Sequence, residues 1–189
     1  LVAVKLMRSE LREHPQAVER LLREARLAAQ FRGDHVCRVL DVGLTSDGTP
    51  YIVMEHLEGS DLSAVLAEHG PLDVDTAVDF MLEASEALAE AHLAGIVHRD
   101  LKPENVFLID RDERPDFVKI VDFGIAKVAP LEGVEAGPRL TRAGSVFGTP
   151  EYMAPEQAAG RSDTDRRVSR YALGVTLSEM VCRKVPTKA

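Results

Sequence analysis

The chain has little cysteine, no long apolar run and no cluster of basic residues, and each absence excludes a class of protein. Its two cysteines, Cys37 and Cys182, lie far apart and outside any Cys-x-x-Cys or Cys/His spacing. We therefore expect reduced thiols rather than a disulfide or a zinc site. No apolar run approaches the length of a membrane span and no signal peptide is visible, so we expect a cytoplasmic chain without a membrane segment. The net charge of −8, with no Lys/Arg block, argues against a nucleic-acid-binding surface.

The composition that remains is globular, with 45% apolar and 29% charged residues over 189 positions. This length suits one domain or two small lobes that share a cleft. The first residues, LVAVKLM, predict a strand, and Pro15 opens a predicted helix that runs to about Phe31. Its expected inward face comprises Val18, Leu21, Leu22, Ala25, Ala28 and Ala29. Two β-rich runs, VCRVLDVGL and YIVMEHL, flank an Asp-Gly turn and predict a hairpin.

A polar connector over residues 55–62 is the candidate domain boundary, and the sequence beyond it becomes mainly helical. We expect a short helix over residues 61–69 and a long one over residues 73–92. The expected inward face of the long helix comprises Val74, Ala77, Val78, Met81, Leu82, Ser85, Leu88 and Ala89. The runs IVH, VFLI and FVKIVDF predict short strands, and YALGVTLSEMV predicts a buried helix. Residues 124–148 are aperiodic and too long for an idle connection in a compact domain.

The stretch IVHRDLKPENVFLI places two bases, an acid and an amide in a loop between two strand-like runs. Asp100, Lys102 and Asn105 lie within six residues. Phosphoryl transfer requires a carboxylate to accept a hydroxyl proton, a cation near the moving phosphoryl group and an oxygen ligand for Mg²⁺. Asp100, Lys102 and Asn105 supply these three groups, whereas an ordinary surface turn does not require them.

The octet HRDLKPEN resembles the catalytic loop of eukaryotic-type protein kinases, and the resemblance extends through VDFG and GTPEYMAPE. Lys102 and the GTP before Glu151 follow the serine/threonine pattern, and MAPEQ is similar to the bacterial branch. The resemblance implies an α+β, two-lobed kinase fold that uses ATP and Mg²⁺ and acts on Ser/Thr hydroxyls of a protein substrate. Residues 1–57 would form a partial N-lobe with one helix, and residues 58–189 a partial, mainly helical C-lobe.

The resemblance also assigns roles around the phosphates. Asp100 would orient the substrate hydroxyl, while Asn105 and Asp122 would bind Mg²⁺. Lys5 would contact the α- and β-phosphates, held by Glu24 on the following helix. Considered alone, Lys5 suits a strand residue that points to water, and Glu24 suits an i, i+4 partner of Arg20 on a solvated face.

Other roles concern the adenosine. Met54 would lie at the back of the adenine pocket, and backbone groups of Glu55 and Leu57 would bind the adenine edge. Asp61 has two equal readings, as a ligand of the ribose hydroxyls or as the N-cap of the following helix. His98 is expected to pack beneath Phe123 rather than to shuttle protons.

The resemblance also assigns residues to regulation and to the segment that seats the substrate. Residues 127–147 resemble an activation loop, with Thr141 and Ser145 as candidate phosphate acceptors and Arg99 as the residue that would pair with that phosphate. Thr149 is expected to bond Asp100 and Lys102. Glu156 belongs to the APE motif of the segment that seats the substrate.

The chain departs from the family pattern at both ends and at Ser169. No Gly-x-Gly-x-x-Gly is present, so the first strands of the N-lobe are expected to be missing, as are the last helices of the C-lobe. Ser169 stands where the family has an Asp that holds the catalytic loop. These departures leave three interpretations: an active serine/threonine kinase with an incomplete catalytic domain, a pseudokinase or interaction module, and a gene remnant. The intact catalytic set favours the first.

Overall fold

The computed structural model describes residues 1–7, 14–112, 114–123, 149–161 and 164–186. Within these residues the strands are β1 (Val2–Leu6), β2 (Val39–Leu44), β3 (Pro50–Glu55), β4 (Gly59–Asp61), β5 (Val106–Arg111) and β6 (Arg114–Ile120). The α-helices are α1 (Pro15–Ala28), α2 (Leu62–His69), α3 (Val74–Leu93), α4 (Pro155–Ala158) and α5 (Arg167–Cys182). In the same described ranges, Pro103–Asn105 and Pro150–Tyr152 form 3-10 helices. This α+β arrangement agrees with the expected fold class.

The first sheet has the strand order β1-β3-β2, and both of its pairings are antiparallel. Side chains alternate between the faces of a strand. In β1 this alternation exposes Val2, Val4 and Leu6 and turns Lys5 to the half-buried inner face, opposite Ile52 of β3. The predicted hairpin joins β2 to β3 through a turn in which Gly48 has a φ of +83°. The inner face of this sheet therefore presents Lys5 toward the rest of the fold.

Helix α1 covers that inner face. Pro15 occupies its first turn, where a fixed φ and a missing N–H are tolerated. The helix buries Ala17, Leu21, Leu22, Ala25 and Ala28. The predicted inward face is thus confirmed at Leu21, Leu22, Ala25 and Ala28, while Val18 and Ala29 are only half-buried and pack against the core from its rim.

The second sheet, with strand order β4-β5-β6, is covered by α3, which also packs against α5. The prediction for α3 is correct in extent but partly wrong in orientation. Its buried residues are Ala77, Phe80, Met81, Glu83, Ala84, Ala87, Leu88 and Ala91. Val74, Val78, Leu82, Ser85 and Ala89 are exposed, contrary to expectation. The helix carries apolar residues on two adjacent faces, and the small side chains Ala84, Ala87 and Ala91 mark the face that permits close packing.

Two short elements also differ from the prediction. The run IVH is not a strand, because Ile96 N–H bonds Ala91 O (2.8 Å) and closes the end of α3 after Gly95, whose φ is +76°. Conversely, residues 59–61 of the polar connector form β4, which pairs with β5. No helix in the described part of the chain is both long and apolar enough to cross a bilayer.

The two sheets meet where the segment after α1 runs beside β6. Val36 and Ile120 form a parallel bridge. Cys37 N–H bonds Ile120 O (2.9 Å), and Ile120 N–H bonds His35 O (2.8 Å). One buried apolar cluster extends through both halves, from Leu21 and Ile52 to Leu108 and Met180. The cleft between β1 and the end of β6 is the setting of the candidate site.

Candidate active site

His98 anchors the loop that carries the HRD sequence through its buried side chain. This side chain is fully buried, its Nε2 lies 3.0 Å from Val121 O, and its ring meets Phe123 edge-on at a centroid distance of 5.0 Å. Burial lowers the pKa of His98, so the ring is neutral and Nε2–H is the donor to Val121. The prediction that His98 packs against Phe123 is confirmed.

Asp100 and Asn105 are held together by the loop itself. The side-chain amide of Asn105 donates from Nδ2 to Asp100 O at 2.7 Å, and Asn105 O accepts the Val121 N–H at 3.0 Å. Asn105 is buried at the end of a 3-10 turn, whereas Asp100 is half-buried. The second contact brings the loop beside Val121, the neighbour of Asp122. Hydrogen bonds therefore join Asp100, Asn105 and Val121, the residue before Asp122.

The segment from Thr149 onward is attached to this loop at two points. Lys102 Nζ donates to Thr149 Oγ1 at 3.1 Å, which is the Lys102 contact expected of Thr149. Gln157, on α4, donates from Nε2 to Arg99 O at 2.6 Å. Sequence reasoning missed Gln157, and its only signal is its place directly after the APE motif. Glu156 precedes it, half-buried in the first turn of α4.

Lys5 pairs with Asp122 across the cleft, with Nζ 2.7 Å from Oδ1. Asp122 has a φ of +56°, a region that Asp adopts more readily than most residues. Met54 and Ile52 line the open pocket beside this pair. Cys37 also lines it, and desolvation by burial raises the pKa of its thiol to about 12, so the thiol stays protonated.

Glu24 does not contact Lys5 in this structure. Its Oε1 lies 3.1 Å from Arg20 Nε and 3.9 Å from Arg99 Nη1. The i, i+4 pair is the alternative that sequence reasoning left open, and it forms because Arg20 lies one turn away on the same face of α1. Lys5 instead forms its ion pair with Asp122. The expected Lys5–Glu24 contact is therefore absent here, and the roles of both residues toward the phosphates stay predictions.

The connector after β3 carries the other predicted nucleotide contacts. Met54 and Glu55 end β3, and Leu57 follows half-buried. Asp61 accepts the Ala64 N–H at 3.0 Å, so its reading as the N-cap of α2 is confirmed, while its contact with a ribose stays a prediction. The two candidate phosphate acceptors, Thr141 and Ser145, lie outside the described residues.

Ser169, which stands where the resemblance expects an Asp, is buried beneath the catalytic loop. Its side chain is 1% exposed, and its Oγ lies 3.3 Å from His92 Nε2. Ser169, Asp100 and Gln157 line one small pocket. Burial, followed by the charges of Arg166 and Arg170, lowers the pKa of His92. The shorter serine side chain thus bonds α3 at His92.

The residues expected to bind Mg²⁺ fit a hard cation with few protein ligands. Asp122 offers a carboxylate, and Asn105 offers its amide oxygen because its nitrogen is engaged with Asp100. Mg²⁺ prefers such oxygen ligands, and it is commonly bound by one or two side chains together with substrate phosphates. The described residues contain no group of three or more His, Cys, Asp or Glu side chains able to hold a metal by themselves. The donor set suits a metal that arrives with a nucleotide.

Comparison with known proteins agrees with this geometry. The family model described as the protein kinase domain matches residues 1–189. The chain is 43% identical over 186 residues to serine/threonine-protein kinase pkn3 of Myxococcus xanthus, covering 98% of this chain and 34% of that protein. It is 40% identical over 188 residues to serine/threonine-protein kinase PknH of Mycobacterium tuberculosis, covering all of this chain and 28% of that protein. The chain therefore spans about a third of the length of these relatives.

Solved structures agree on the fold. The kinase domain of Mycobacterium tuberculosis PknI superposes with a TM-score of 0.76 at 28% identity, over 98% of this chain and 65% of that one. A structure of Rad53 residues 1–466 in complex with AMP-PNP gives a TM-score of 0.75 at 25% identity, over all of this chain and 43% of that one. The chain belongs to the protein kinase domain family.

Proposed function

We propose that the chain is the catalytic part of a serine/threonine protein kinase that transfers the γ-phosphate of ATP to protein Ser/Thr hydroxyls. The observation that carries this proposal is the single hydrogen-bonded unit of Asp100, Asn105 and the strand end before Asp122. The relatives named above, which are called serine/threonine kinases, support the same reaction. No nucleic-acid or membrane partner is part of the proposal, and ATP as donor makes the cytoplasm the proposed compartment.

In the proposed reaction, the carboxylate of Asp100 orients a substrate hydroxyl and accepts its proton as the oxygen attacks the γ-phosphorus. A new O–P bond forms while the bond from that phosphorus to the leaving ADP oxygen breaks. Lys102 neutralises charge on the transferring group, and its bond to Thr149 fixes it beside the segment that would seat the substrate. Mg²⁺, when bound by Asp122 and Asn105, neutralises charge on the phosphates.

ATP would lie between the two lobes, residues 1–57 and 58–189. Met54 would close the back of the adenine pocket, backbone groups of Glu55 and Leu57 would bind the adenine edge, and Asp61 would reach the ribose. Binding of the triphosphate would separate Lys5 from Asp122, since both are then needed at the phosphates. Lys5 would be free to pair with Glu24.

Regulation through residues 127–147 is part of the proposal. A phosphate on Thr141 or Ser145 would carry nearly two negative charges and pair with Arg99. Arg99 lies 3.9 Å from Glu24 in this structure, so such a phosphate would compete with Glu24 for the guanidinium. Mass mapping of phosphosites after incubation with ATP tests this, with Thr141→Ala and Ser145→Ala as separate variants.

The test of the function is phosphate transfer from γ-labelled ATP to casein by the full-length protein with Mg²⁺. Asp100→Asn and Asp122→Asn should each lower the rate at least about a hundredfold, because each removes a group that acts in the transition state. Asp110→Asn, an exposed acid on β5, is the matched control and should retain activity. Full activity of Asp122→Asn would refute the proposal. Capture of a partner without nucleotide binding would instead identify an interaction module.

A further inference from the structure

Lys119 is a buried lysine that the proposed reaction does not use. It lies near the end of β6, where all four residues from Phe117 to Ile120 are buried, and its side chain is only 8% exposed. Transferring an ammonium group out of water is strongly unfavourable unless it is paired and hydrogen-bonded. Its partners therefore show which parts of the fold depend on it.

The ammonium of Lys119 has two partners on other segments. Nζ lies 2.8 Å from Glu55 Oε1 and 3.3 Å from Val36 O. Glu55 is the last residue of β3, and Val36 belongs to the segment that bridges to β6. The buried charge thus joins the second sheet to the end of the first.

Glu55 is fixed at both its side chain and its backbone. The same Oε1 that pairs with Lys119 accepts the Arg38 N–H at 2.8 Å, while Glu55 N–H donates to Arg38 O at 3.0 Å. The residue that opens the connector is therefore held against residues 36–38, and through Lys119 against β6. The Lys119–Glu55 ion pair therefore links the start of the connector to β6, three residues before Asp122.

We infer that the Lys119–Glu55 ion pair positions the connector for the adenine of the nucleotide, which makes Lys119 a positioning residue for ATP. The inference rests on the proposed function. Lys119 itself touches no substrate: it fixes the backbone of Glu55 at a set distance from β6, and so from the residue expected to bind Mg²⁺. The structure assigns it an effect on nucleotide affinity rather than on the transfer step.

The test compares Lys119→Met and Glu55→Gln with Lys184→Met, an exposed lysine just after α5, in the full-length protein. The dissociation constant of Mg·AMP-PNP should rise about tenfold in the first two variants and stay unchanged in the control. The KM for ATP should rise by a similar factor, while kcat changes by less than about threefold. The double variant should bind Mg·AMP-PNP no more weakly than the single variant with the lower affinity, because both changes remove the same ion pair.

Nucleotide affinity within twofold of the wild type in Lys119→Met or Glu55→Gln would overturn the inference, even if the melting temperature falls. Glu55→Gln, at a half-exposed residue, provides the test should Lys119→Met fail to fold. A wild-type protein that neither binds Mg·AMP-PNP nor transfers phosphate would refute the proposed function instead. In that case hydrogen exchange at the Arg38 amide tests the role of the Lys119–Glu55 pair. Exchange should be about tenfold faster in Lys119→Met, or in Glu55→Gln if that is the variant that folds. Unchanged exchange would overturn the inference.

Discussion

Lys5 and Asp122 form an ion pair of 2.7 Å that spans the cleft between β1 and the chain just beyond β6. Both side chains remain about one-third exposed. The pair occupies the place where the phosphates are proposed to bind, so the two groups proposed to act on ATP are engaged with each other in this structure. Solvent screening keeps such a pair weak, so separating the two side chains requires little free energy.

Replacing Lys5 by Met should therefore separate activity from stability. We expect kcat/KM for ATP to fall at least about a hundredfold, because a cation against the phosphates is lost. The free energy of unfolding should change by less than about 1 kcal/mol, as for other exposed ion pairs. Steady-state kinetics and denaturant unfolding measure the two effects. A destabilisation of several kcal/mol would show that Lys5 acts mainly in folding.

Glu24 gives a second prediction, because the structure pairs it with Arg20 and leaves it near Arg99. If Glu24 must reach Lys5 for transfer, Glu24→Gln should lower kcat/KM about tenfold or more. Arg20→Gln removes the competing i, i+4 partner, worth only about 0.5 kcal/mol, and should not lower activity. Phosphate transfer assays on the two variants decide the matter. Equal losses in both would mean that the Arg20–Glu24 pair itself is required.

Gln157 should affect the transfer step rather than nucleotide binding. Its amide holds the carbonyl of Arg99, the residue before Asp100, and Arg99 has a φ of +23°. Gln157→Leu removes one hydrogen bond of about 1–1.5 kcal/mol, so we expect kcat to fall about tenfold with the KM for ATP unchanged. Gln16→Leu, at an exposed position on α1, is a control of the same chemistry. A rise in KM with an intact kcat would contradict this role.

Acid should destabilise the fold through the buried His98 and the half-buried His92. Burial lowers the pKa of His98 and of His92 in the folded state below the usual value of 6.5. Below pH 6.5 these histidines therefore bind protons more readily in the unfolded chain than in the folded chain. The stability that is present above pH 6.5 is lost as the pH falls below it. For the fully buried His98 the slope approaches about 1.4 kcal/mol per pH unit, and solvent screening makes the contribution of the half-buried His92 smaller.

Denaturant unfolding between pH 7 and pH 5.5 measures this slope. We expect His98→Gln to flatten it, although the variant is less stable at pH 7 because its contact with Phe123 is lost. His69→Gln, at an exposed position on α2, should leave the slope unchanged. A wild-type stability that does not vary over this range would contradict the prediction.

Much of the fold was predictable because periodicity reports burial. The β1 strand, α1, the hairpin, and the extents of α2 and α3 follow from patterns of apolar residues and from caps such as Asp61. The inward face of α3 was not predictable in full, because apolar residues surround much of the helix. Packing of α3 against α5 and β6 selected the face that is buried. The run IVH failed as a strand because its first amide bonds the helix before it.

The sequence by itself determined the family and the ordered set of residues for phosphate chemistry, since HRDLKPEN and VDFG are contiguous and their order carries the information. Tertiary structure alone decided which polar and charged groups meet. Lys5 pairs with Asp122 instead of Glu24, Gln157 holds Arg99, and Lys119 reaches Glu55 from 64 residues away. Such pairs depend on distances that folding creates between remote segments, and a charged side chain can choose among several partners within reach.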